Sequence, residues 1–431
     1  MGKIAVVLVW ILILTYVVRF NDFFGVAIVN EQVMKLLFLG SGGLLLLWRA
    51  SLAWQLFRTI NPFILMFLAL GWCSFAWSIE PKLTFLRMLT LSGYVLIIAS
   101  FVLYDWTAQR FQTVMRGVLL MIPLLSYAAW VLQPDFVIER GEDISLKGSW
   151  KGLTGQKNTF GQLAAFATVF WWHALLNSEG GRRMAIFGFL ASLWAVLLSR
   201  SSTALLATVP TCGFVWLLMR SRPNLKRYMP AIATGFALLV VTYSMAVLKV
   251  VPGLELMLEP ITALTGKDQT FSGRSVIWNV IKKHIEFAPM LGTGFGAYWA
   301  GPAYTWSPSW DVARVMYIYP FQAHNGYLDT INDLGYVGLS VLVGYMITFM
   351  RHALRLFRID RAQGSLYLAL FFMMAISNLS QSIWFTSNIE FIVMIFATFA
   401  LGRTMLEVKL KAMYNSQPPQ PVWQQRSTFM R

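Results

Sequence analysis

Residues 83–104 read LTFLRMLTLSGYVLIIASFVLY, an apolar run with a single charge, Arg87. A helix of this length reaches across the roughly 30 Å hydrocarbon core of a bilayer. Working outward, the pattern repeats. Toward the N-terminus lie apolar runs at Ile4–Val18, Val33–Leu47 and Pro62–Trp77. Toward the C-terminus lie Gly117–Leu132, Thr159–Leu176, Met184–Leu198, Thr203–Met219, Met229–Val250, Asp333–Met350, Ser365–Phe385 and Ile389–Met405. The expected fold is all-α: a polytopic membrane protein with about 12 transmembrane helices. Composition agrees. Hydrophobic residues make up 57% of the chain and charged residues 13%, against about 25% charged in soluble domains. Too little polar side chain remains to cover water-facing domains, so lipid must cover much of this surface.

The net charge of +16 would suggest nucleic acid on a soluble protein. Here the basic residues follow the spans instead. Arg49 and Arg58 share one loop, Arg110 and Arg116 the next alternate one. Arg182 and Arg183 follow, then Arg220, Arg222, Lys226 and Arg227, then Arg351, Arg355, Arg358 and Arg361. If the spans alternate, all fall on one side, which the positive-inside rule makes cytoplasmic, together with both termini. No nucleic-acid partner is needed to account for the charge. The N-terminal run has the look of a signal peptide but no small-x-small cleavage site, and reads as an uncleaved first helix. Cys73 and Cys212 lie in apolar runs without metal-ligand or redox spacing and read as core residues.

The opposite side carries two longer segments, Gln133–Asn158 and Val251–Asn325. The second is much the longest connection. Within it, Val276, Ile277, Val280, Ile281 and His284 have helical spacing, so Ser275–Phe287 reads as a short amphipathic helix. Long connections are usually functional, and 251–325 reads as an ordered periplasmic cap. The expected organisation is one transmembrane domain over residues 1–414, including the cap, and a disordered cytoplasmic tail over 415–431 with Pro418, Pro419 and Pro421.

Cations are disfavoured in short outer loops, so those found there carry information. Arg200 lies in the run SRSST (199–203) and Arg274 in GRSVIW (273–278). Lys157 and Asn158 close the run GQKN (155–158), and His324 opens HNGYL (324–328). Guanidinium groups bind phosphate oxygens in bidentate fashion. Two Arg and a Lys at the membrane surface could hold a diphosphate whose lipid tail stays in the bilayer. A nearby His, with an ordinary pKa of about 6.5, could take a proton from an attacking hydroxyl. Trp299, Tyr304 and Trp306 suit the apolar faces of sugars. No His/Asp/Glu cluster has metal-ligand spacing, and Gly292–Gly296 lacks the spacing of a dinucleotide fingerprint. Neither a metal nor a cofactor is expected.

These segments, in this order, resemble the O-antigen ligase and polysaccharide polymerase superfamily of bacterial membrane glycosyltransferases. The likeness rests on Trp150–Gly161, Ser199–Ala207, the Gly273-Arg274-Ser275 motif with Trp278, Leu291–Gly296, and Ala323–Leu328. Trp77, Ser78, Pro81, Thr84 and Arg87 match more loosely. The first segment is most similar to exopolysaccharide polymerases of the succinoglycan type, although Gln156 stands where many of those have His. The resemblance implies an inverting, metal-independent transfer from an undecaprenyl-diphosphate-linked oligosaccharide donor at the periplasmic face of the bacterial inner membrane. It assigns Arg200 and Arg274 to the diphosphate and His324 to the acceptor hydroxyl, with Lys157, Asn158, Asn325, Arg87 and Trp278 binding substrate. Polymerisation of repeat units is the leading expectation, with a flippase and a chain-length regulator as partners. Ligation to a lipid A core acceptor is the alternative. A transporter of anionic glycan or lipid is the third reading, and it would place ionisable groups at mid-membrane. The charge pattern makes a direct prediction: a reporter fused after Asn415 reads cytoplasmic and one inserted near Gly266 reads periplasmic. Both reporters on one side would refute the alternating arrangement.

Overall fold

The computed structural model describes residues 14, 18–25, 31–104, 108–140, 147–220, 274–316 and 319–415, with scattered residues between 227 and 256. The expected spans Ile4–Val18 and Met229–Val250, most of the 251–273 stretch, and nearly all of the tail lie outside the described residues.

Within them the chain is helical, without a strand. We label the main helices α1 (Glu31–Trp48), α2 (Ala50–Thr59), α3 (Pro62–Cys73), α4 (Pro81–Tyr104) and α5 (Ala108–Leu132). Then come α6 (Lys157–Leu176), α7 (Arg182–Leu198), α8 (Ser202–Arg220), α9 (Arg274–Ile285) and α10 (Ser309–Met316). The last are α11 (Gly326–Ile359), α12 (Arg361–Ser377) and α13 (Ile389–Asn415). Among the described residues, five helices are long and apolar enough to cross a membrane: α4, α5, α8, α11 and α13. The α1–α2 pair, bent by 102°, makes up to six. The helices α3, α6, α7 and α12 fall on the other expected spans.

Apolar pattern decides depth in the bundle. α13 is hydrophobic all round, which demands burial, and 89% of its apolar window is buried. It packs against α4, α5 and α11. α8 instead turns Leu205, Leu206, Val209 and Trp216 outward, a face that only lipid would cover. Cys73 also lies exposed on the surface of the bundle rather than in the core.

Two expected spans differ at their outer ends. The run Ser365–Phe385 was expected to be helical throughout, but α12 ends at Ser377. The Asn378 side chain is the reason. Its Oδ1 accepts from the backbone N–H groups of Ile383 (2.9 Å) and Trp384 (2.8 Å) and folds 378–388 into a loop. The span expected from Asp333 begins earlier, at Gly326, and breaks at Gly335, whose φ is 66°. Only glycine fits this break, because a Cβ there would lie 2.2 Å from the Met290 backbone.

The segment 274–325 packs across the α3–α4 turn and the start of α11. Trp77 Nε1 donates to Leu291 O (3.1 Å), Ile79 N–H to Thr293 O (2.9 Å) and Phe295 N–H to Ser74 Oγ (3.0 Å). α9 matches the expected amphipathic helix to within a residue or two.

Gly326 provides a test of this packing. A Cβ there would sit 2.0 Å from Asn378 Oδ1, the atom that holds the 378–388 loop. Gly326→Ala should destabilise by about 1–3 kcal/mol, the range for overpacking, and lower the thermal midpoint in detergent. Gly43→Ala, with nothing within 4 Å of its Cβ, is the control and should be neutral or slightly stabilising.

Candidate functional site

Hydrogen bonds gather the candidate loops at one end of the bundle. Trp150 N–H donates to Leu198 O (3.0 Å), Ser380 Oγ to Thr203 Oγ1 (2.8 Å), and Gly326 N–H to Asn378 O (2.9 Å). Arginine-rich segments meet at the other end. There Arg361 Nε donates to Leu218 O (2.5 Å), and Arg116 pairs with Glu179 at 3.1 Å.

Arg200 sits between α7 and α8 with φ 49°. Its neighbours Ser199 and Ser201 are buried. Ser201 N–H donates to Ser199 Oγ (3.2 Å), and Ser201 Oγ donates to Asn158 Oδ1 (3.0 Å). Anchored on both sides, the turn leaves the Arg200 side chain exposed, with Nη1 on the carbonyl of Lys147 at 3.2 Å. Lys157 and Asn158 open α6, so their side chains leave the first helical turn beside Arg200.

His324 also has a left-handed backbone, φ 54°. Such a conformation costs about 1–3 kcal/mol and persists only where its surroundings over-determine it. They do so here. Ala323 N–H donates to Asp329 Oδ2 (2.9 Å), and Trp278 Nε1 donates to Ala323 O (2.9 Å). Asn325 N–H donates to Ser382 Oγ (3.2 Å), while its side chain caps α11 by accepting from Tyr327 and Leu328 N–H. Trp278 and Asn325 thus hold the backbone on either side of His324. Trp299 Nε1 donates to the other oxygen of Asp329 (2.8 Å). The His324 imidazole lies near Arg274, at the start of α9, and near Gln381, and its Nδ1 is buried without a hydrogen-bond partner among the described residues.

A cavity of about 550 Å³ opens beside these groups. Of the residues singled out in the sequence, Asn158, Arg87 and Trp299 line it. His324 and Asn325 reach it through Gln381 and Ser382, which line it. Arg200, Arg274, Lys157 and Trp278 are not in its wall. Arg87 spends its guanidinium on the carbonyls of Gly296 and Trp299 (the latter 2.9 Å), tying α4 to the 274–325 segment. The cavity also exposes Arg19, Lys35, Gln162, Gln381, Asp333 and Glu390, which sequence reasoning missed. Asp329 and Asp333 were visible as carboxylates next to an apolar run. The polar run Ser377–Ser382 inside an expected span was the signal for Gln381.

Electrostatics set the state of the imidazole. Burial first, then the Arg274 charge, push its pKa from 6.5 down to about 4, with the nearby Gln381 side chain acting in the opposite direction. It is therefore neutral near pH 7, as an acceptor of protons must be. A folded pKa below the unfolded one contributes stability above pH 6.5 that is lost as pH falls through about 4. His324→Asn should remove this component. The loss in thermal midpoint between pH 6.5 and pH 4 is expected to be smaller in the variant than in the wild type; equal losses would place the imidazole in a solvated setting.

Comparison with known proteins adds an independent line. Residues 187–343 match a family model described as O-antigen ligase. That stretch contains Arg200, Arg274 and His324. Over 231 residues the chain is 26% identical to the exopolysaccharide production protein ExoQ of Rhizobium meliloti (strain 1021), an alignment covering 51% of this chain and 50% of that protein. The chain thus spans about half the length of the curated relative it matches. Both findings agree with the resemblance carried by the motifs around Arg200, Arg274 and His324.

Proposed function

We propose that this chain, a relative of O-antigen ligases and exopolysaccharide polymerases, is a membrane glycosyltransferase. In this reading it moves a saccharide from an undecaprenyl diphosphate to a sugar hydroxyl at the periplasmic face of the inner membrane, extending exopolysaccharide or O-antigen. The observation that carries the reading is the position of His324, held in a left-handed backbone beside Arg274 and next to a polar cavity.

The chemistry follows from the groups present. The acceptor hydroxyl gives its proton to the imidazole as its oxygen attacks the anomeric carbon. The bond from that carbon to the diphosphate oxygen breaks, and the lipid diphosphate leaves with the electron pair. Attack opposite the leaving group inverts the centre. A diphosphate is a good leaving group, so activation of the incoming hydroxyl matters more than acid assistance, and a positioned base contributes about 10²–10⁴-fold. Arg274 and Arg200 supply charge to the departing diphosphate, with Lys157 at the start of α6 beside Asn158, which bonds the Arg200 turn. The 274–325 segment acts as the periplasmic cap over the site, and about 12 spans with both termini cytoplasmic complete the arrangement. The description of the matched family favours one second reading, ligation to a lipid A core, which differs in acceptor and not in chemistry.

Purified protein incubated with lipid-linked donor and acceptor is the test. His324→Ala should lose product formation by at least about 10²-fold while remaining folded and still binding donor. Arg274→Lys should be impaired nearly as much as Arg274→Ala, because lysine keeps the charge and loses the planar fork. Wild-type rates in His324→Ala would leave that residue structural.

A further inference from the structure

Two amide donors in the cavity wall have no protein acceptor. Gln162 is 1% exposed and Gln381 6%, and Nε2 of each is buried without a partner. Both residues line the cavity. A buried N–H left unpaired opposes folding, so such groups are retained where something else uses them.

For Gln381 the polarity is fixed by the protein. Ser382 N–H, which can only donate, bonds to Gln322 Oε1 (3.1 Å). Gln322 must then present Nε2, which donates to Gln381 Oε1 (3.2 Å). Gln381 is left with Nε2 as its free end. The backbone N–H cannot be reversed, so the direction of the whole relay is set. Gln162 Oε1 accepts from Ser377 Oγ (3.0 Å), which leaves Nε2 as its free end. Both free ends are donors only, and their ligand atom must be an acceptor. Ser382, the chain neighbour of Gln381, takes the N–H of Asn325 (3.2 Å), which sets Gln381 beside the His324 turn.

We propose that Gln381 and Gln162 are specificity-determining residues that read one oxygen of the acceptor saccharide, a hydroxyl neighbouring the one presented to His324. This rests on the transferase reading of the site. A site built to hydrogen-bond a substrate hydroxyl rejects the analogue that lacks it, because its own donors stay unpaired.

The test is saturation-transfer NMR on the full-length chain in nanodiscs, with methyl glucoside, methyl galactoside and their monodeoxy counterparts as probes. At least one parent glycoside should bind the wild type, and removing one particular hydroxyl should weaken binding about tenfold, the worth of one hydrogen bond. In Gln381→Met and Gln162→Met the parent should fall to the level of that deoxy compound. Gln381→Glu, which keeps the shape and the bond from Gln322 but loses the donor, should behave the same way and covers a Met variant that does not fold. An unchanged parent-to-deoxy ratio in folded variants, or no binding of either parent to the wild type, overturns the proposal. Transfer is measured separately: a wild type that binds selectively and transfers nothing refutes the transferase reading alone.

Discussion

The carboxylate of Asp329 is the contact on which the rest of the site depends. It is buried near the start of α11, where water is not available to serve its lone pairs. One oxygen takes the N–H of Ala323 and the other the indole N–H of Trp299. A single side chain therefore joins the membrane helix, the His324 turn and the segment that crosses the end of the bundle. One turn further on, Asp333 Oδ2 accepts from Gly296 N–H at 2.9 Å, and Arg87 holds the same stretch from α4. Removing one partner from such a set leaves the others buried and unpaired, which costs more than the bond itself contributes.

Strain at the site is matched by rigidity around it. Arg200 and His324 both occupy the left-handed region, which L-residues with a Cβ avoid. Each follows a buried residue, Ser199 or Ala323, and each is fixed by hydrogen bonds to the chain on either side. The consequence is geometric. The turn throws the Arg200 side chain outward at the end of the bundle, whereas the His324 imidazole stays largely buried beside Arg274.

How much was legible in the sequence depended on the kind of signal. Long apolar runs fix helices through length alone, so α4, α5, α8 and α13 fall where 83–104, 117–132, 203–219 and 389–405 put them. Arg200, Arg274 and His324 stood out because cations and a lone His are rare next to such runs. The ends of α11 and α12 were not legible, since they turn on contacts distant in sequence: Met290 against Gly335, and Asn378 against the backbone of 383 and 384. Asp329 and the glutamines were passed over for the same reason. Nothing local distinguishes a Gln that caps a loop from one whose amide faces a cavity. Only the relay from Ser382 through Gln322 makes that distinction.

The 102° bend between α1 and α2 has a mechanical meaning for the opposite end of the molecule. α2 runs crosswise to the span before it, burying Ala53 and Leu56 while Trp48 and Trp54 stay exposed. The Arg58 guanidinium sits 4.7 Å from the centroid of the Trp54 ring. Indole rings and guanidinium groups settle at the headgroup level, so a bilayer around this bundle would meet α2 at its edge. With that depth set at one end, the height of the cavity at the other would follow from the length of the helices between them. A thicker or thinner membrane would then shift where the cavity meets a lipid headgroup without altering any bond inside it.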